Sequence, residues 1–179
     1  MYQPAEDSFL LANQVKLFLS KLKNKDLKVL DMGTGSGIQA KTCLEFVKKE
    51  NLLLVDLDKD VVKKLKNKFH IIHSNLFSKV QGKFDLIIFN PPYLPEDKNE
   101  PIESKVATTA GKEGYELIIK FLKTAKPHLT KTGVILLLFS SLSKPSIIKA
   151  KAKELGYSFK LLKRQKLFFE ELFVYEFYF

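Results

Sequence analysis

Apolar and polar positions along the chain follow two alternating patterns: short apolar runs of strand length, and longer stretches with apolar residues three or four apart. The first run (Leu27, Val29, Leu30) ends in Asp31, and Leu52–Val55 ends in Asp56. Phe69–Ile72 follows as a short strand, and Phe84–Phe89 and Gly133–Phe139 read as buried strands. Helical spacing joins Phe9, Leu10, Val15, Leu17, Phe18 and Leu19, in a helix that Asp7 or Ser8 can cap. It also predicts helices over Ile38–Lys49, Lys59–Lys68 and Tyr115–Ala125, the last ended by Pro127. A further helix runs from a cap at Ser143 or Ser146 to Leu155, with Gly156 closing it. Tyr157–Leu162 and Leu172–Phe179 alternate across a turn-like stretch and predict an antiparallel pair. The sum is an α/β fold, a mostly parallel seven-stranded sheet with an antiparallel C-terminal hairpin. The aromatic-rich end (Phe168, Phe169, Phe173, Tyr175, Phe177, Tyr178) reads as strand core in preference to a base-stacking platform. Pro95–Gly114 is polar and aperiodic, as functional lids and disordered loops are.

Length changes this picture little: 179 residues predict one domain over 1–179 with an ordinary core. No apolar run is long enough to cross a bilayer as a helix, and no signal peptide is expected before the first motif. The lone cysteine, Cys43, falls on a helix as buried filler and suits a cytoplasmic, reducing setting. His70 and His73, three apart on a strand, point to opposite faces and share no metal, so no metal site is expected. The net charge of +10 invites a nucleic-acid or ribosomal partner, but a solvated lysine-rich surface accounts for it equally. Arg164 is the sole arginine, and base-edge recognition leans on arginine's bidentate fork.

Chemistry concentrates in four places. Gly33, Gly35 and Gly37 follow the first strand with G-x-G-x-G spacing, where the pyrophosphate fingerprint is G-x-G-x-x-G. Asp31 directly before them would repel a pyrophosphate and attract a ligand carrying a cationic centre and an amino group, which points to S-adenosylmethionine. Asp56, about twenty residues beyond the last glycine, sits where an acid takes both ribose hydroxyls; the rival Asp58 reads as a helix cap. After the third strand, Asn75 can accept from an adenine amine while Leu76 packs on the ring. Asn90-Pro91-Pro92-Tyr93 closes the fourth strand: two prolines stiffen the loop and leave carbonyls free to accept, Asn90 offers an amide, and Tyr93 a ring face. Together they can grip a planar –NH2 group. Exocyclic adenine amines in DNA or RNA fit such a grip too, although a duplex-acting enzyme flips its base and usually carries a further recognition domain.

The opening YQPAEDSFLL, then DMGTGSG, NPPY, TTAGKEGYELI and Arg164-Gln165, in this order, resemble the short HemK/PrmC-type protein glutamine methyltransferases of eukaryotes and archaea, over essentially the whole chain. The resemblance implies a class I, Rossmann-like methyltransferase fold, S-adenosylmethionine as cofactor, and a cytoplasmic enzyme. It implies as substrate the Gly-Gly-Gln glutamine of a class I translation termination (release) factor, nucleic acid not being required. A small zinc-binding activator protein often pairs with such members through an exposed apolar strand. Carried over by motif, Ser8 touches the cofactor from the N-terminal segment, Asp31 and the Gly33–Gly37 turn hold its methionine part, Asp56 its ribose, and Asn75-Leu76 its adenine. Asn90 bridges cofactor and substrate amide. The family commonly has Asp where this chain has Asn75, whose Oδ1 still accepts, so retuned cofactor binding is expected. The N-terminal helical domain of the bacterial relatives is not expected here, and the lid at Ala110-Gly111-Lys112 is less regular than the family's.

Overall fold

The computed structural model describes residues 5–23, 26–94 and 112–179. Of the lid stretch, residues 95–111 lie outside that description.

Seven strands form one sheet: β1 Val29–Met32, β2 Leu52–Asp56, β3 His70–His73, β4 Phe84–Phe89, β5 Leu129–Ser140, β6 Ser158–Lys166 and β7 Glu171–Tyr178. Their order is β3-β2-β1-β4-β5-β7-β6. β1 to β5 pair in parallel, and β7 runs antiparallel to both β5 and β6. The helices are α1 Glu6–Ser20, α2 Ile38–Cys43, α3 Lys59–Leu65, α4 Glu116–Ala125 and α5 Pro145–Glu154. Successive strand residues face opposite sides, so each apolar run feeds two cores. Leu30, Ile87, Leu137 and Phe139 meet Ile118, Phe121 and Leu122 of α4 and Ile148 of α5. Val29, Leu54, Ile88 and Leu138 meet Leu11 and Val15 of α1, Ala40 of α2 and Val61 of α3. A sheet covered on both faces requires the continuous apolar runs seen in the sequence.

The parallel strands all end at the same edge. Strand order reverses at β1, with β2 and β3 to one side and β4 and β5 to the other, and a ligand crevice opens at such a switch point.

Several elements depart from their sequence reading. In α1, Phe9 and Leu17 are about half exposed, while Leu11, Ala12, Val15 and Leu19 are buried. The buried stripe runs through positions 7, 8, 11, 12, 15 and 19. Asp7 and Ser8 therefore lie inside the first turn of the helix, whose N-cap is Ala5 without a side-chain bond. α2 stops at Cys43: the next bonds tighten to a three-residue span (Glu45 N–H to Thr42, Phe46 N–H to Cys43), turning Val47 into the core. β3 lies one residue later than expected, β5 begins four residues earlier at Leu129, and β6 extends to Lys166. Neither Ser143 nor Ser146 caps α5. Lys144 does so in a left-handed conformation (φ 52°), with Pro145 starting the helix and Ser143 spent on the short turn before it. The aromatic end divides: Phe177 is buried in the sheet, whereas Phe168 and Phe169 stand almost wholly in solvent. Among the described residues no helix is long and apolar enough to cross a membrane.

Candidate functional site

The turn after β1 fixes one wall of the crevice. Gly33, Gly35 and Gly37 have φ of 61°, 52° and 76°, a left-handed region where an L side chain is strained. The Thr34 N–H donates to the Val55 carbonyl, tying the turn to β2. Gly33 has a second constraint, since a Cβ there would come within 3.2 Å of the Phe89 ring at the end of β4. Gly37 does something different. It starts α2, faces Leu65 and Phe69 and does not line the cavity described below, so the structure gives it a packing role away from the ligand position expected of it.

Two carboxylates flank this turn. Asp31 is buried; the Thr34 hydroxyl donates to its Oδ2 at 2.6 Å. Burial, with the Asp56 charge adding to it and the Thr34 bond opposing, raises its pKa from the ordinary 3.8 to about 7. No cation pairs with it among the described residues. Asp56, at the end of β2, accepts from Gly35 N–H through Oδ2 and from Asp58 N–H through Oδ1, both at 2.9 Å. Burial raises its pKa, and those N–H bonds work against the rise. Asp58 caps α3 through the Asp60 N–H at 2.7 Å, which leaves Asp56 as the strand-end acid. Cys43, buried behind the turn, has its thiol pKa pushed well up by that burial, which suits filler and not a nucleophile.

β3 leads into Ser74-Asn75-Leu76. Leu76 is buried at a positive φ of 48°, held there by the Ser74 hydroxyl, which donates to its carbonyl at 2.9 Å. Asn75 is exposed at the rim.

The loop after β4 forms the opposite wall. The Asn90 Nδ2 donates to Asp7 Oδ2 at 3.0 Å, with Ser8 Oγ at 3.5 Å. Asp7 in turn accepts from the Ser8 N–H at 2.6 Å. A carboxylate can only accept, so Asp7 fixes which end of the Asn90 amide faces it. The other end, Oδ1, is buried and has no hydrogen-bond partner among the described residues. Unpaired buried acceptors are uncommon and costly, at about 1–3 kcal/mol. The Ser143 hydroxyl donates to the Tyr93 carbonyl at 2.7 Å, anchoring the loop to the turn after β5.

These pieces enclose one cavity of about 360 Å³, a volume suited to a cofactor-sized ligand. Ser8, Asp31, Gly33, Gly35, Asp56, Asn75, Leu76, Asn90, Pro91, Pro92 and Tyr93 all line it. Of the residues singled out from sequence, Gly37 alone stays away. Asp7 and Gln39 were missed as site residues. Gln39 lines the cavity, donates through Nε2 to the Ser8 carbonyl at 3.0 Å, and leaves a buried Oε1 unpaired. The signal for Asp7 was present: it stands one turn before Leu11 and two before Val15, an acid on an apolar stripe.

Sheet order, glycine turn, strand-end acid and Asn-Pro-Pro-Tyr loop, meeting at one cavity, define a Rossmann-like fold of the class I methyltransferases. The family model for the methyltransferase small domain matches residues 12–158. A Methanocaldococcus jannaschii protein named provisionally as a protein N5-glutamine methyltransferase is 39% identical over 97% of this chain and 89% of its own. The release factor glutamine methyltransferase of Borreliella burgdorferi is 32% identical over 75% of the chain, which spans 51% of that longer protein. Among solved structures, the E. cuniculi Mtq2-Trm112 complex, responsible for methylating the translation termination factor eRF1, superposes with a TM-score of 0.77. The match covers 99% of this chain and 97% of that one at 24% identity, a likeness of fold. The chain belongs to the methyltransferase small domain family and, within it, to the protein N5-glutamine methyltransferases.

Proposed function

We propose that the chain, acting as one domain over residues 1–179 in the cytoplasm, methylates the side-chain amide nitrogen of a glutamine in the Gly-Gly-Gln motif of a translation termination factor. The observation that carries this reading is the buried, unpartnered Oδ1 of Asn90 in a cavity shared with the glycine turn. An acceptor there suits an incoming –NH2 group.

The residues fit S-adenosylmethionine as cofactor. A buried carboxylate with no cation beside it and a pKa near 7 suits a ligand that brings positive charge. When bound, that cofactor supplies an electrophilic methyl group on a positively charged sulfur. Asp31, Gly33, Gly35 and Ser8 would hold its methionine end, Asp56 its ribose hydroxyls, and Asn75 with Leu76 its adenine. Asn90 Oδ1 and the Pro91 carbonyl would hold the two N–H groups of the substrate amide, turning the nitrogen toward the turn after β1. Tyr93 would close the pocket with its ring. An amide nitrogen is a weak nucleophile because its lone pair is delocalised, and neither histidine nor lysine lines the cavity among the described residues. Catalysis therefore rests on alignment, which can supply up to ~7–11 kcal/mol in favourable cases. Bonds to Asn90 and Pro91 also strengthen as positive charge develops on nitrogen.

A small zinc-binding activator protein is the expected partner. The open edge at β3, with Leu57 about half exposed beside it, offers a place for an added strand. The deciding experiment offers labelled S-adenosylmethionine with a Gly-Gly-Gln termination factor, its Gln→Ala variant, and RNA. Label in the intact factor alone is the expected result. Label in the Gln→Ala variant or in RNA would overturn the assignment.

A further inference from the structure

The turn between β6 and β7 breaks a local rule. The Leu167 N–H donates to the Glu170 carbonyl at 2.8 Å, leaving Phe168 and Phe169 at the tip. Tight hairpin tips favour Gly, Asn or Asp, which tolerate positive φ and water. Here two phenylalanines, neither at positive φ, stand 91% and 86% exposed. They are ordered against each other, ring centroids 4.6 Å apart and planes at 84°. An edge strand needs protection from stray pairing, and the lysines of β6 provide it, but exposed phenylalanines work against that end.

The tip also has a fixed relation to the cavity. The Glu171 N–H donates to Ser141 Oγ at 3.0 Å, and two residues on, Ser143 Oγ donates to the Tyr93 carbonyl. Between them stands Leu142, 42% exposed. One short turn thus links hairpin tip to catalytic loop along the edge where the parallel strands end. Behind the tip, Lys163 and Lys166 are exposed and form no ion pair among the described residues, while Arg164 meets Glu171 at 3.8 Å. Glu170 Oε2 is a buried acceptor without a donor among the described residues.

We propose that Phe168, Phe169 and Leu142, backed by Lys163 and Lys166, form the docking surface for the body of the protein whose glutamine enters the cavity. The partner is a folded protein presenting an apolar patch bordered by acidic residues. The inference rests on the function proposed above. A nucleic-acid reading fits less well. Edge-to-face rings cover part of each other's stacking surface, and the one arginine is already paired. Exposed aromatics near a mouth, ringed by charge, are what interface hot spots look like.

The test compares the intact Gly-Gly-Gln factor with a short peptide spanning its loop. The Phe168→Ala/Phe169→Ala double variant should raise KM for the factor at least tenfold and leave kcat, and both constants on the peptide, unchanged. Lys163→Glu/Lys166→Glu should weaken the factor's kcat/KM and flatten its salt dependence, again sparing the peptide. Equal losses on factor and peptide, or no loss on either, would overturn the proposal. So would a dimer of this chain that the double variant dissociates, or RNA labelling that it abolishes. If the unaltered enzyme labels neither factor nor peptide, the function reading fails and takes the inference with it. If it labels both and the double variant matches it, the inference alone fails.

Discussion

After β1 the chain turns on left-handed glycines, and beside that turn Asp31 of β1 and Asp56 at the end of β2 bring two carboxylates to the cavity with their pKa values raised. After β4 it turns on two prolines, and the polar group it brings to the cavity is the neutral Asn90 amide. The first wall stores unfavourable negative charge and so favours a cationic ligand. The second stores an unsatisfied acceptor and so favours a neutral donor. On the function proposed above, one crevice would tell two ligands apart by what each relieves: charge at one wall, a missing hydrogen bond at the other.

The sharpest way to separate the walls is Asn90→Ala. It should lower kcat on the order of a hundredfold or more while cofactor affinity, read by calorimetry, stays within a fewfold. Comparable losses in both would mean that the walls do not divide the work.

Asp31→Asn should act with the opposite pattern, weakening cofactor binding tenfold or more. It should also raise the melting temperature of the ligand-free protein above pH 7. The sign follows from the raised pKa: between about 4 and 7 the folded chain holds a proton that the unfolded chain has released. Stability from this group is therefore present at low pH and lost as pH rises through about 7. A cationic ligand needs the charged carboxylate, so wild-type affinity should climb with pH up to about 7 and then level off, with proton release on binding below that point. A flat affinity profile would remove Asp31 from the cofactor's surroundings.

A smaller effect is expected from Asp7→Ala, which frees the Asn90 amide to turn over. We expect roughly a tenfold fall in kcat, with cofactor affinity kept and little further loss when combined with Asn90→Ala. Additive losses would show that Asp7 acts by another route. The mildest is Gly37→Ala. Its Cβ would make ordinary contact with Leu65 at 3.5 Å, so the cost is backbone conformation, about 1–2 kcal/mol. That should appear as a lower melting temperature with unchanged cofactor affinity.

Most of this architecture was legible in the chain. Apolar runs covered on both faces left little freedom in strand assignment, and the glycine and proline motifs fixed the strand ends that form the cavity. What escaped was set by contacts distant in sequence. Asp7 passes for a helix cap until Asn90, 83 residues on, is brought against it. Gly37 looks equivalent to Gly33 until Leu65 and Phe69 are seen beside it. The strands' exact ends also escaped, because β5 begins where it pairs with Phe84 and not where its apolar run starts.

Asp7's hold on Asn90 has one more consequence. With Nδ2 held by Asp7, the amide presents only an acceptor to whatever enters. A glutamate has the outline of a glutamine but would meet that oxygen with oxygens of its own. On the function proposed above, the cleft would admit a glutamine amide and turn away the acid that its deamidation leaves.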